Sequence, residues 1–302
     1  MRSFRRRPAG QAAGQAWRWA DRGVLFALSA LFCGVASSVF LKSVSALPGG
    51  QAIAIRSAFA LVLLLAVIAV RSLKGSGARL GKTGCVRAVL DATAGLAFAY
   101  AVFELPLGLL ASIHATLPLV SVALAAILLR EPLSRRVLLA IVMGAAGVLV
   151  ILQPGLEASP LGLALALLSL FAYALRDLVT RRMEAGGDLV KSVALSAFLI
   201  GLAGLLTGAT ISPPPLVPGD FVLLGLAAVT FLGANTMIIA AFRRAPVARI
   251  APLRYSSILW ALLFDAILWG HMPEPATWFG IAIILAAGSV LLLRPGHISG
   301  RQ

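Results

Sequence analysis

The chain has 302 residues, 60% of them hydrophobic and 12% charged, with mean hydropathy +0.97 and a formal net charge of +15. A soluble domain carries about 25% charged and about 45–50% apolar residues, so this composition excludes a water-soluble fold and reads as a polytopic membrane protein. Two cysteines in apolar stretches, Cys33 and Cys85, exclude a disulfide scaffold and a cysteine-rich zinc site.

A membrane span needs about 20 mostly apolar residues. Ten stretches qualify: 23–41, 51–70, 86–103, 107–129, 136–152, 161–179, 189–209, 220–241, 247–269 and 276–293. The first is too long for the apolar core of a cleavable signal, and further spans follow it. Proline-containing breaks separate several of them: Pro48-Gly49-Gly50, Leu105-Pro106, Gln153-Pro154-Gly155 and Ser212-Pro213-Pro214-Pro215. Proline withholds a helical donor and stops the helix. The loops are too short for a soluble domain, so function must lie inside the bundle. The predicted fold is all-α with ten transmembrane helices. It divides into a basic segment 1–22, a five-helix unit 23–152, a second unit 161–293 and a tail 294–302.

The basic residues orient this bundle. Six arginines precede the first span; five basic residues follow the second, three the fourth, four surround the end of the sixth, three follow the eighth and two the tenth. All 23 of these fall on one side, out of 26 in the chain. Only Lys42 lies in the opposite loops, while Arg56 and Arg254 lie within spans. The positive-inside rule makes the basic side, with both termini, cytoplasmic. The expected setting is a bacterial inner membrane. The charges read as orientation and contact with anionic lipid, not as a nucleic-acid site.

A shift of 140 residues superposes the two halves. Pro106 falls on Pro246, Ala101 on Ala241, Leu119 on Leu259, and Ala126-Ile127-Leu128 on Ala266-Ile267-Leu268. A repeat of five spans is odd, so its second copy enters the membrane from the opposite face. Inverted repeats of this kind build many secondary transporters, with the substrate near the midplane between the halves. Ala140, Gly144 and Gly147, and again Ala282, Ala286 and Gly288, have the spacing of close helix packing.

Leu105-Pro106-Leu107-Gly108, Pro118, Leu129-Arg130-Glu131-Pro132-Leu133 and Gly144 to Gly147 resemble the EamA-type pattern of the drug/metabolite transporter superfamily. Arg56 matches a recurrent arginine of that family. In the second half, Ala245-Pro246-Val247-Ala248 and Gly270 are similar to the equivalent pattern, but His271 stands where the family usually has glutamate, with Glu274 three residues on. Ala251-Pro252-Leu253-Arg254-Tyr255 resembles a subgroup that includes S-adenosylmethionine and riboflavin uptake proteins. The resemblance implies ten helices, cytoplasmic termini, a central cavity, and movement of amino acids, nucleotide-like metabolites, vitamins or drugs.

Charge inside a bilayer costs at least about 2.5–3.5 kcal/mol on insertion scales. Arg56 and His114 lie roughly 7–11 Å from the outer face at about 1.5 Å per residue, with Asp265 in the same layer. Asp91, Arg254 and Asp177 form a cytoplasmic-side layer. Arg254 and Asp265 are 11 residues apart, within about 20° of one helix face, which predicts that this face lines the cavity. His114 and Arg254 are themselves related by the 140-residue shift. Arginine suits bidentate binding of carboxylate or phosphate, so Arg56 with His114, and Arg254, are expected stations for a substrate's anionic or carbonyl groups.

Structural alternatives stand beside each. Arg56 can bridge to Asp265, Arg254 can pair with Asp91 or Asp177 or reach the surface, and His114 can be a packing residue. Asp91 is four residues from Arg87, and Asp177 adjoins Arg176. Tyr100, Tyr173, Tyr255 and Trp260 are aromatic candidates for stacking, and Asn235 needs a buried partner. His114, Asp91 and Asp265 are the groups able to couple protons.

The sequence predicts a secondary transporter for a small polar metabolite, in either direction, with the bilayer as partner, no cofactor and no nucleotide-driven motor. A homodimer is left open. The competing class is a membrane enzyme acting on a lipid-linked substrate. His114, His271 and His297 lack metal-ligand spacing, and no nucleophile motif appears.

Overall fold

A computed structural model describes residues 9–44, 47–73, 80–130, 135–151, 158–181, 189–208, 217–242, 244 and 250–292. Their secondary structure is helical. In chain order it comprises α1 (Ala9–Lys42), α2 (Gly49–Leu73), α3 (Lys82–Glu104), α4 (Leu107–His114), α5 (Leu117–Leu129), α6 (Arg135–Ile151), α7 (Pro160–Arg181), α8 (Leu189–Gly208) and α9 (Pro218–Phe242). A 3₁₀ turn (Ala251–Tyr255), α10 (Ser256–Phe264), a π turn (Asp265–Trp269) and α11 (Pro275–Leu292) complete it.

Among the described residues, seven helical runs are long and apolar enough to cross a membrane: Arg22–Lys42, Gly49–Val70, Lys82–Glu104, Leu107–Leu129, Pro160–Thr180, Val190–Gly208 and Pro218–Ile238. The other three expected spans are also helical. However, α6 has 17 residues, the apolar part of α11 is Pro275–Val290, and residues 251–269 are broken into three short pieces. The N-terminal expectation also shifts: α1 begins at Ala9, inside the segment read as a basic extension.

The breaks follow from local chemistry. Leu105 is extended (φ −124°, ψ 153°) because Pro106 follows it, and this ends α3. Pro118 cannot donate the bond that would reach the His114 carbonyl, so the helix stops at His114 and restarts at Leu117. Thr116 Oγ1 donates to the Ile113 carbonyl at 2.7 Å across this interruption. In the second half the 3₁₀ turn gives way to α10 between Tyr255 and Ser256. A 140-residue shift carries His114 onto Arg254 and Ala115 onto Tyr255, so both halves break at the same place.

That shift relates the whole architecture. It carries α2 onto 189–213, which holds α8, and α3 onto 222–244, which overlaps α9 over 222–242. It carries α4 and α5 together onto 247–269, and α6 onto 275–291, which is α11. The packing partners exchange accordingly. The partner of α1 is α9, and α3 packs on α7; α3 also meets α8, as α2 meets α9; α5 meets α7, as α1 meets α10. The contacts α2 with α8 and α6 with α11 map onto themselves. This is the pattern of two copies related by a pseudo-twofold axis.

Environments repeat less fully than positions. Ala101 and Ala241 are both fully buried, and Ile127 and Ile267 both face outward (72% and 68% exposed). Leu119 is buried while Leu259 is 65% exposed, so that identity carries no common role. Of the small-residue sets, Ala140, Gly144 and Gly147 are buried as expected. Ala282 and Ala286 are exposed instead; Gly280, Ala287 and Gly288 are buried. The physical cause is the α6–α11 crossing, where a Cβ on Gly147 would lie 3.0 Å from the Gly280 carbonyl, and one on Gly280 2.8 Å from that of Gly147. The outer faces carry large exposed apolar side chains such as Val62, Leu149 and Leu206, as a lipid-facing surface requires.

Candidate functional site

A cavity of about 340 Å³ lies between the halves. Its wall draws on α1 (Gly34, Ser37, Ser38), α2 (Arg56), α3 (Asp91, Gly95, Phe98), the α4–α5 break (His114, Pro118), α7 (Tyr173, Arg176), α9 (Phe231, Asn235) and the 3₁₀–α10 break (Arg254, Ser257). Arg56 and His114 of one expected layer and Asp91 and Arg254 of the other thus face one space.

The cavity has an acid paired with a cation. Asp91 accepts from Arg176 Nη1 at 2.8 Å and from Ser196 Oγ at 2.9 Å, and Arg87 Nη1 stands 3.8 Å away. Arg176 also pairs with Asp177 at 2.7 Å and lies over the Tyr173 ring at 4.6 Å. Arg87 is itself held by Thr180 and Ser192, each at 3.2 Å. This network ties α3, α7 and α8 together. Sequence reading placed Arg176 among the loop charges. Its position inside the apolar run 161–179, between Tyr173 and Asp177, was the available signal.

Two cations stand apart from it. Arg56 is 8% exposed, and its guanidinium lies over Phe231 at 5.4 Å. Arg254 is partly buried at the second break, where its carbonyl accepts from Ser257 Oγ at 2.7 Å. Among the described residues neither arginine has a carboxylate partner. The expected Arg56–Asp265 bridge is therefore absent there. The alternative pairing of Arg254 with Asp91 or Asp177 is absent too, because Arg176 takes both acids.

His114 ends the short helix α4, and its ring sits edge-on to Phe98 (centroids 4.9 Å) and Tyr173 (6.0 Å). Its Nε2 is 2.7 Å from Ser169 Oγ, which is itself 2.8 Å from the Ala166 carbonyl oxygen. The Ser169 hydroxyl can turn its proton to Nε2 or to the Ala166 carbonyl, and the tautomer of the neutral ring follows that choice. Asn235 Nδ2 donates to the Phe231 carbonyl at 2.9 Å, leaving its side-chain oxygen for the cavity.

Four expected residues lie outside the cavity wall. Tyr100 shares a 2.5 Å hydrogen bond with Thr207 on α8. Tyr255 packs against α11, where a Cβ on Gly288 would meet its hydroxyl. Asp177 is the outer partner of Arg176. Asp265 is 2% exposed and accepts from the Gly108 N–H at 2.5 Å, at the start of α4. The constant 100° per residue that put it on the face of Arg254 fails in a run that opens as 3₁₀ and closes as π. Trp260, a further aromatic candidate, stacks edge-on against Phe32 at 5.2 Å. Trp269 carries Lys42 over its ring at 5.2 Å, and Lys42 Nζ donates to the Leu105 carbonyl at 2.5 Å. Glu131 and Pro246 lie outside the described residues. His271 and Glu274 are exposed.

The sequence pattern of the EamA-like transporter family matches residues 21–153 and again 160–293. The chain belongs to the EamA-like transporter family. The two matches coincide with the two structural copies, so the internal duplication is an EamA duplication. Two relatives, each named an uncharacterised transporter, come from Helicobacter pylori strains 26695 and J99. Each is 28% identical over 216 residues, covering 68% of this chain and 72% of its own. A crystal structure of another protein superposes with TM-score 0.61 at 17% identity, over 89% of this chain and 96% of that one. That likeness concerns the fold. An EamA-family chain with several membrane-crossing helices is a multi-pass membrane transporter acting on a small molecule.

Proposed function

We propose that the protein is a secondary transporter that moves a small polar metabolite, of amino-acid, vitamin or nucleotide-like kind, by alternating access. It is read as ten transmembrane segments in a 5+5 inverted repeat, with both termini cytoplasmic in a bacterial inner membrane and no cofactor required. One observation carries the reading: the interrupted fourth segment of each repeat meets the same cavity, presenting His114 from one and Arg254 from the other. Discontinuous helices at a repeat interface are how such transporters build midplane sites, since the interruption frees backbone groups and lets the segment pivot.

Arg56, Arg254, His114, Tyr173 and Asn235 are the proposed substrate contacts, each on the cavity wall. Asp91, with Arg176 and Asp177, forms a charge lock beside them. His114 is the proposed proton station, because a neutral imidazole on the cavity wall keeps one ring nitrogen able to accept a proton while the ring stays in contact with Ser169. Net direction then follows the substrate and proton gradients. The test is flux in proteoliposomes carrying the purified chain and loaded with a metabolite extract, with mass spectrometry of both compartments. Selective equilibration of one or more small solutes supports the proposal; indistinguishable behaviour from empty vesicles defeats it.

A further inference from the structure

We infer that the substrate is a soluble organic anion, a carboxylate on an apolar body without an ammonium group, and that Arg56 binds its carboxylate. The inference rests on the transporter reading and narrows it, setting amino acids aside.

The duplication exposes an asymmetry. A 140-residue shift carries Arg56 onto Ser196 and Asp91 onto Phe231. Of the two contacts between the halves that the repeat relates, one is Ser196 hydrogen-bonded to Asp91 at 2.9 Å and the other is Arg56 over Phe231 at 5.4 Å. Where the first half supplies a carboxylate, the second supplies an aromatic ring. Arg56 is more than nine-tenths buried, reaches the cavity, and has no carboxylate among the described residues. A buried guanidinium without a counter-charge is costly, and a planar carboxylate satisfies it through two parallel hydrogen bonds.

The same inventory argues against a zwitterion. Asp91, the acid among the described residues of the wall, already takes Arg176, Ser196 and the approach of Arg87. An ammonium group would find an acid whose charge Arg176 already matches, otherwise neutral acceptors, and the positive Arg254 beside them. The rest of the wall is largely apolar, with Phe98, Leu110 and Ile200 facing the space. Its volume of about 340 Å³ lies at the small end of ligand pockets, about 300–1,000 Å³. That suits one compact metabolite.

The experiment uses the full chain in phosphatidylcholine vesicles, with matched probes differing only in charge. These are 3-phenylpropionate, phenylalanine and phenethylamine, then 4-methylvalerate, leucine and isoamylamine. Equilibrium binding and counterflow are measured for each. The expected result is that the acids bind at least about tenfold more tightly than their zwitterions and that the amines do not bind. Arg56→Gln should weaken acid binding at least about tenfold, with Arg56→Lys in between. A fold defect is separated by gel filtration and by Arg254→Gln, which should weaken the acids while leaving the assembled protein intact.

Zwitterion or amine binding as tight as acid binding, no acid binding, or acid binding indifferent to Arg56→Gln overturns the inference. So does displacement of the acids by added phosphatidylglycerol, which would make a lipid headgroup the ligand. Counterflow of zwitterions alone overturns the anion while leaving transport intact. Acid binding without counterflow overturns transport while leaving the anion site.

Discussion

Replacing Asp91 by asparagine should destabilise the bundle more than replacing Asp177, although both acids hold the same arginine. Asp91 ties three helices: it accepts from Arg176 on α7 at 2.8 Å and Ser196 on α8 at 2.9 Å, with Arg87 on its own helix at 3.8 Å. Its side chain is 13% exposed, against 31% for Asp177. Breaking a buried ion pair from one side costs about 3–5 kcal/mol when a charge is orphaned. Here Arg176 keeps Asp177 at 2.7 Å, so the loss falls toward that of one charged hydrogen bond, about 1.5–3 kcal/mol. Asp177→Asn removes a more solvated pair on one helix and should cost about 0.5–1 kcal/mol. At roughly 2 °C per kcal/mol for a chain of this size, the melting temperatures in detergent should fall by about 3–6 °C and about 1–2 °C. Equal losses, or a larger loss for Asp177→Asn, would refute the assignment of Asp91 as the centre of the lock.

Five other substitutions probe the frame and the cavity wall. Arg130 caps α5 with φ 54°, at the position the repeat relates to Gly270 (φ 67°); Arg130→Gly should therefore gain up to about 1 kcal/mol, and Gly270→Ala should lose about as much, in thermal melts. Gly204→Ala would set a Cβ 2.7 Å from the Gly50 carbonyl and 2.9 Å from the Ala54 nitrogen, both backbone, and should cost about 1–3 kcal/mol. Gly225→Ala, with open space around it, should be neutral or stabilising. Tyr255→Phe should leave transport within about twofold, because that ring packs on α11; a tenfold loss would return Tyr255 to the substrate site.

The helical architecture was legible because lipid demands long apolar runs, and the repeat because Pro106 and Pro246 punctuate it at equal spacing. The conversion of runs into spans was not. The run 247–269 has the length of one helix, but its residues 251–269 carry a 3₁₀ turn, an α-helix and a π turn, and apolarity does not report such breaks. The same change of pitch hid the true place of Asp265. Arg56, Asp91, His114, Tyr173, Asn235 and Arg254 were legible as cavity residues because a polar group in an apolar run has few affordable positions. Arg176 was misplaced because nearness to a basic loop outweighed its place on the helix. Phe98 and Phe231 gave no signal, since an aromatic ring facing a cavity and one facing lipid read alike.

Alternating access is the central claim, and accessibility of the cavity from each side tests it most directly. Ala234 lines the cavity, and the native thiols are Cys33 and Cys85. In a Cys33→Ser, Cys85→Ser background, Ala234→Cys would be exposed to a membrane-impermeant maleimide from one side of oriented vesicles at a time. The account predicts labelling from both sides, with a bound substrate slowing each reaction. Labelling confined to one side, with and without solute and across a proton gradient of either sign, would contradict it.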